Sequence, residues 1–231
     1  SMVGYLLSAK DPKETKICVA VDANEKEGGN GKTNTVDFLV QGKYPFLKKI
    51  GRVNGRSTDA KDTFFLANMG LKESDIVILN DMRNPNKTVD VLYDAINGTL
   101  RVRAKGGGYY DVPFEDVSKL FMTTNFVVFD AVSSAQARRI YVIPSTNTFD
   151  DKKTFIDKLG YAMFEEWTGD RENKYHLYHS FILSCIHFHM MLKKANKGKG
   201  LIPTELSAYK SRVCLLYTSD AADETRWGGG G

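Results

Sequence analysis

The sequence predicts an α/β fold, a central parallel sheet flanked by helices and followed by a helical region. Two apolar runs, Ile17 to Val21 and Ile76 to Leu79, show no polar alternation, as expected of strands covered on both faces. Helical periodicity lies between such runs: Val89, Leu92, Tyr93 and Ile96 recur at helical spacing. From Asp151 onward the pattern turns helical, through Trp167 and again from Lys174 to Lys194. Strands that alternate with helices argue for a parallel sheet, because parallel neighbours need a long crossover.

The chain has 231 residues, 42% hydrophobic and 26% charged, which suits one packed soluble domain with an appendage. The ends read differently from the rest. Ser1 ahead of Met2 resembles a residue left by an expression tag. Cys214 to Glu224 resembles, residue for residue, a translated transposon-end sequencing adapter, and Gly228 to Gly231 the product of a homopolymer read. The natural sequence is therefore expected to end at Arg212 or Val213. Setting residues 214–231 aside leaves 31 Lys+Arg against 25 Asp+Glu, a net +6 in place of +4. Such a basic balance is compatible with a polyanionic partner without requiring one. Cys18 and Cys185 then remain, each in an apolar run, as expected of thiols in a reducing compartment. The longest apolar run, Phe181 to Leu192, is too short for a membrane span and carries Ser184, His187 and His189.

Taken in order, Ile17 to Val21 is the first strand and runs into the polar, Gly-rich segment Asp22 to Thr33. A helix near Asn34 to Val40, a loop with Gly42, Gly51 and Gly55, and a helix around Ala60 to Met69 follow. Ile76 to Leu79 is the second buried strand. Thr88 to Asn97 reads as helix, stopped by Gly98. Leu100 to Ala104 and Tyr109 to Pro113 flank Lys105 and three glycines, a hairpin signal. Leu120 to Met122 and Ile140 to Ile143 complete the strands.

Gly28, Gly29, Asn30, Gly31, Lys32 and Thr33 stand between a buried strand and a helix, where a phosphate-binding loop belongs. Glycines let consecutive backbone N–H groups turn inward around an anion, and the helix start adds its positive end. Lys32 is placed to reach the outer phosphates of ATP, and the Thr33 hydroxyl to ligate Mg²⁺. The usual opening glycine of the motif is replaced by Lys26. Such a loop needs an acid facing the metal and water; Asp81, 49 residues after Lys32 at the end of the second strand, supplies it. A further 44 residues on, Asn125 ends a strand after two threonines, positioned to orient an attacking water.

A Gly-Gly-Asn-Gly-Lys-Thr loop, an acidic strand end, a Lys- and Gly-bearing hairpin and a strand ending in Thr-Thr-Asn together resemble the superfamily-three helicases. The chain is similar in particular to the helicase half of phage and pox-virus-type primase–helicases, over Gly4 to Ile143. The resemblance implies a P-loop NTPase of the AAA+ type. It further implies a homo-hexameric ring that hydrolyses ATP with Mg²⁺, moves on single-stranded DNA in genome replication, works beside a primase domain and resides in the host cytoplasm. Carried over residue by residue, Lys32 and Thr33 match the Walker A lysine and hydroxyl, and Asn125 the sensor asparagine. Asp81 matches the second Walker B acid, while Asn80 stands where the first acid is expected and can meet the metal only through a water. Arg138 and Arg139 match the arginine-finger region, which acts on a neighbouring subunit's nucleotide. Arg101, Arg103 and Lys105 match phosphate-contacting positions of the hairpin, with Tyr109 and Tyr110 as base-stacking residues.

The implied organisation is an ATPase core over 1–150, a helical region over 151–213 and a non-native tail over 214–231. Asn80 and Lys26 keep open a second reading, a weakly hydrolysing nucleotide-dependent DNA-binding or assembly module. A third is a P-loop NTPase for packaging or RNA unwinding. All four histidines fall between His176 and His189; on one helix His176, His179 and His187 share a broad face and His189 points away, which fits a packed, partly polar helix rather than a zinc site.

Overall fold

The computed structural model describes residues 1–22, 31–55, 74–83, 85, 88–89, 92, 98–103, 107–125, 139–145 and 175–201. Ser1 to Leu201 form one compact unit; Ile202 to Gly231 form a second, which lies outside the described residues. The expected helices at Ala60 to Met69 and from Asp151 to Trp167 also lie outside them.

Five strands make a wholly parallel sheet: β1 (Ile17–Asp22), β2 (Gly51–Asn54), β3 (Ile76–Asn80), β6 (Lys119–Thr124) and β7 (Ile140–Ser145). Their spatial order is β2-β3-β6-β1-β7. β4 (Leu100–Arg103) and β5 (Tyr109–Val112) form a separate antiparallel ribbon. The described helices are α1 (Met2–Leu7), α2 (Asn34–Asp37), which continues as a 3₁₀ turn over Phe38–Val40, and α3 (Tyr175–Ala195).

Every residue of β1 and β6 is buried, which is why their sequences run apolar without alternation. Cys18, Ala20, Ile76, Ile78 and Phe121 line one face and pack on Tyr5, Leu6, Val36, Phe38, Leu39, Tyr178 and Ile182. Val19, Val21, Val77, Leu79 and Met122 alternate to the other face, where they are equally buried. Tyr178 ties α3 to this core, its hydroxyl donating to the Phe38 carbonyl at 2.8 Å and accepting the Phe46 N–H at 3.3 Å.

Two sequence expectations change. The glycine loop around Gly51 contains strand β2, which pairs with β3 from Gly51 against Val77 to Asn54 against Asn80. Val53 is its lone large apolar residue, so pairing rather than local propensity makes this edge strand. The expected helix Asn34 to Val40 is one α turn followed by a 3₁₀ turn. So short a segment sums few peptide dipoles, and its positive end is correspondingly weak.

His189 does point away from the other histidines. It is buried, its Nε2 3.3 Å from Glu14 Oε2. No group of three or more His, Cys, Asp or Glu side chains among the described residues is arranged to hold a metal ion. No described helix is long and apolar enough to cross a membrane.

Candidate nucleotide site at the carboxyl ends of the strands

Ligands of open parallel sheets bind beyond the carboxyl ends of the strands. The order β3-β6-β1 brings three such ends together: Asn80 and Asp81 after β3, Thr124 and Asn125 after β6, and Asp22 at the end of β1. Lys32 closes the group from the loop side. Its ammonium donates to Asp22 Oδ1 at 2.5 Å and to Asn125 Oδ1 at 2.9 Å. Residues 93 positions apart in sequence are thus linked by one side chain.

Thr33 meets Asn80 directly, its hydroxyl donating to Asn80 Oδ1 at 2.9 Å. Thr123 donates to the same oxygen at 3.0 Å and accepts the Asp81 N–H at 2.9 Å. The turn after β3 is fastened further: the Met82 N–H donates to the Thr123 carbonyl at 2.9 Å, and the Thr124 hydroxyl to the Met82 carbonyl at 2.7 Å. Asp81 itself adopts a left-handed φ of 56°, a conformation that aspartate tolerates better than most residues and that marks functional turns. Gly31 likewise has φ 66°, where a side chain would be strained.

Thr33 Oγ1, Asn80 Oδ1 and the Asp81 carboxyl are all hard oxygen donors, a set that fits Mg²⁺ and leaves most of its coordination to phosphate and water. Lys32, Thr33, Asn80, Asp81 and Asn125 therefore gather at one end of the sheet. Gly28, Gly29 and Asn30 lie outside the described residues.

Arg139 is placed elsewhere. Its carbonyl accepts the Ile17 N–H at 2.7 Å, which puts it at the amino-terminal end of the sheet. A six-residue strand, roughly 20 Å at about 3.3 Å per residue, separates it from Lys32. It cannot serve this chain's own loop. Arg138 lies outside the described residues.

The ribbon divides its candidate residues. Arg101 pairs with Asp111 and Arg103 with Tyr109, and all four are exposed on one face. The Arg101 guanidinium lies 5.2 Å from the Tyr109 ring centroid. Tyr110 pairs with buried Val102 and faces the other way, half-buried. Two-residue alternation could have separated the two tyrosines in the sequence. Lys105 lies outside the described residues.

Asp22 and Thr123 were not among the expected site residues. Asp22 reads as the first residue of a polar loop, but it is the buried last residue of β1. An acid directly after a buried apolar run was the available signal. Nothing in the sequence marks Thr123 apart from Thr124.

The parallel sheet, its strand order and the Gly-Lys-Thr segment after β1 define an α/β P-loop NTPase fold. No family model matches the chain, and no curated protein matches it. Among solved structures, the apo C-terminal region of NrS-1 is similar over 81% of this chain and 38% of its own, at 16% identity and a TM-score of 0.46. A second structure of that region, spanning 305–718, covers 80% and 38%, at 17% identity and a TM-score of 0.43. A Cytophaga hutchinsonii protein provisionally assigned as an ATPase covers 77% and 55%, at 14% identity and a TM-score of 0.38. The chain thus spans less than two-fifths of the NrS-1 region it resembles.

Proposed function

We propose that the chain is the Mg²⁺- and ATP-dependent motor core of a DNA helicase of the superfamily-three type, acting as a homo-hexameric ring in phage or viral genome replication. The observation that carries this reading is Lys32 held between Asp22 and Asn125 at the mouth of three parallel strands. Bound Mg²⁺–ATP would supply the electrophilic phosphorus and the charge-neutralising cation. The chain's own residues have separable tasks. Lys32 brings a positive charge to the outer phosphates, and Thr33 with Asn80 presents oxygens to the metal side. Asp81, pinned by Thr123, accepts a hydrogen bond from the attacking water, and Asn125 orients that water. Arg138 and Arg139 would serve the next subunit's nucleotide, which agrees with Arg139 lying at the far end of the sheet. The exposed face of the ribbon, with Arg101, Arg103 and Tyr109, would contact single-stranded DNA, and Lys105 its tip.

ATP turnover of the full chain, with and without single-stranded DNA, tests this. Turnover that rises with DNA supports the motor. Nucleotide-dependent DNA binding with negligible turnover supports instead the assembly-module reading, which Asn80 at the first acid position favours. Strand displacement on RNA forks but not DNA forks would move the activity to RNA.

A further inference from the structure

A second cationic recess lies at the opposite end of the sheet. Lys119 begins β6 there, its backbone N–H fixed by the Asp75 carbonyl at 2.9 Å. Its side chain is buried, with the ammonium 3.7 Å from the centroid of the Tyr5 ring. No carboxylate lies within ion-pair distance of that ammonium among the described residues. Tyr5 is itself locked, its hydroxyl donating to the Lys16 carbonyl and accepting the Lys16 N–H, each at 2.8 Å. Lys10 faces the same recess, with its ammonium 4.7 Å from the Phe114 ring centroid.

The two acids lining this recess are engaged elsewhere. Asp11 accepts from Lys193 at 2.5 Å and from the Lys13 N–H at 2.9 Å. Glu14 faces His189 at 3.3 Å and accepts the N–H groups of Gly200 and Leu201 at 2.6 and 2.5 Å. The recess therefore keeps an excess of positive charge in a partly dry setting, which an isolated structural lysine would not favour. Its open volume of about 20 Å³ admits a group of a few atoms and excludes a nucleoside.

We propose that this recess, formed by Lys119, Lys10 and the Tyr5 and Phe114 rings, is a binding site for a single phosphate group, separate from the nucleotide loop. Burial pushes Lys119 down to about 8, and burial with the nearby Lys119 does the same to Lys10. A bound anion offsets both penalties. Phe114 directly follows the β4–β5 ribbon, so a phosphate of a DNA strand lying on that ribbon is one source. A free phosphate is the other.

The test uses the full chain carrying Asp22→Asn and Lys32→Met, so that the nucleotide loop takes no phosphate. Inorganic phosphate, titrated against chloride at constant ionic strength, should raise the melting temperature saturably. Adding Lys119→Met should abolish that rise while leaving the melting temperature in chloride equal or higher, because a buried charge is replaced by an apolar chain of similar length. Lys10→Gln, at a less buried position, should weaken phosphate binding by roughly tenfold or more, the cost of one charge-assisted contact. No saturable rise in the starting chain, or the same rise with Lys119→Met, overturns the site; Lys10→Gln decides if Lys119→Met does not fold. A thymidine oligonucleotide then assigns the source. Weaker binding and a salt slope shallower by roughly 0.7 with Lys119→Met assign it to a DNA strand. Unchanged DNA binding with loss of the phosphate response assigns it to the free ion. ATP affinity, measured on Lys119→Met alone, should equal the parent's, so failure of the nucleotide reading registers separately.

Discussion

Lys32 and Asp22 form a buried ion pair at the carboxyl end of β1, Nζ to Oδ1 2.5 Å, with side-chain exposures of 9% and 0%. Removing one partner of such a pair leaves a buried charge without compensation, which costs about 3–5 kcal/mol. Lys32→Met should therefore lose both nucleotide binding and stability, whereas Asp22→Asn with Lys32→Met should regain most of the stability and none of the binding. Chemical denaturation and ATP titration of the three chains decide this. Wild-type ATP affinity in the double variant would remove Lys32 from the phosphate site.

Asn80 Oδ1 accepts from both Thr33 and Thr123, and an aspartate accepts in the same way. Asn80→Asp should keep this network and add the missing charge beside the metal position. Mg²⁺-dependent nucleotide affinity should rise severalfold. Titration with and without Mg²⁺ reads it, and an unchanged Mg²⁺ dependence would place the metal elsewhere.

The recess at the other end of the sheet gives stability a distinctive pH dependence. Burial lowers Lys119 and Lys10 from 10.5 to about 8, so above that pH the unfolded chain holds more protons and stability rises. Burial raises the Cys18 thiol from 9.0 to about 12, so above pH 9 the folded chain holds more protons and this group opposes the rise. Tyr5, also raised by burial, opposes it further at higher pH. Melting temperatures should climb between about pH 8 and 9 and then level or fall. Lys119→Met should flatten the climb; an undiminished climb would show that Lys119 is not its source.

Gly4 marks the closest approach of α1 to α3. A Cβ there would lie 2.1 Å from the Cys185 carbonyl oxygen, a backbone atom that cannot swing aside. Gly4→Ala should destabilise by about 1–3 kcal/mol or more through overpacking. Gly98, with nothing within 4 Å of the equivalent position, is the control and should tolerate alanine. Equal melting temperatures for the two variants would contradict this packing.

On the ribbon, Arg103→Ala should weaken single-stranded DNA binding and flatten its salt slope by roughly 0.7 for a phosphate contact. Tyr109→Ala, at 59% exposure, should lower affinity with little change in slope, because stacking releases no counterions. Tyr110→Ala should act mainly on stability, since that ring faces Val102's side of the ribbon. Parental DNA binding by both Arg103→Ala and Tyr109→Ala, measured by anisotropy at several salt concentrations, would place the DNA path elsewhere.

The sequence by itself determined the α/β class, the strands β1, β3, β6 and β7, the hairpin and the roles available to Lys32, Thr33, Asp81 and Asn125. These rest on local signals: apolar runs, glycines at sharp turns and polar residues at strand exits. Strand order, by contrast, is set by packing across the whole sheet. Only the insertion of β6 between β3 and β1 puts Asn125 against Lys32 and Thr123 between Asn80 and Asp81. Strand β2 required its partner, since its own four residues carry little propensity. Long-range pairing also decided the charges. Asp22 became a buried counter-ion rather than a loop residue, Lys119 a buried cation over Tyr5, and Arg139 a residue remote from its own chain's loop. Each of these depends on which groups burial brings within a few ångströms, and spacing along the chain does not encode that distance.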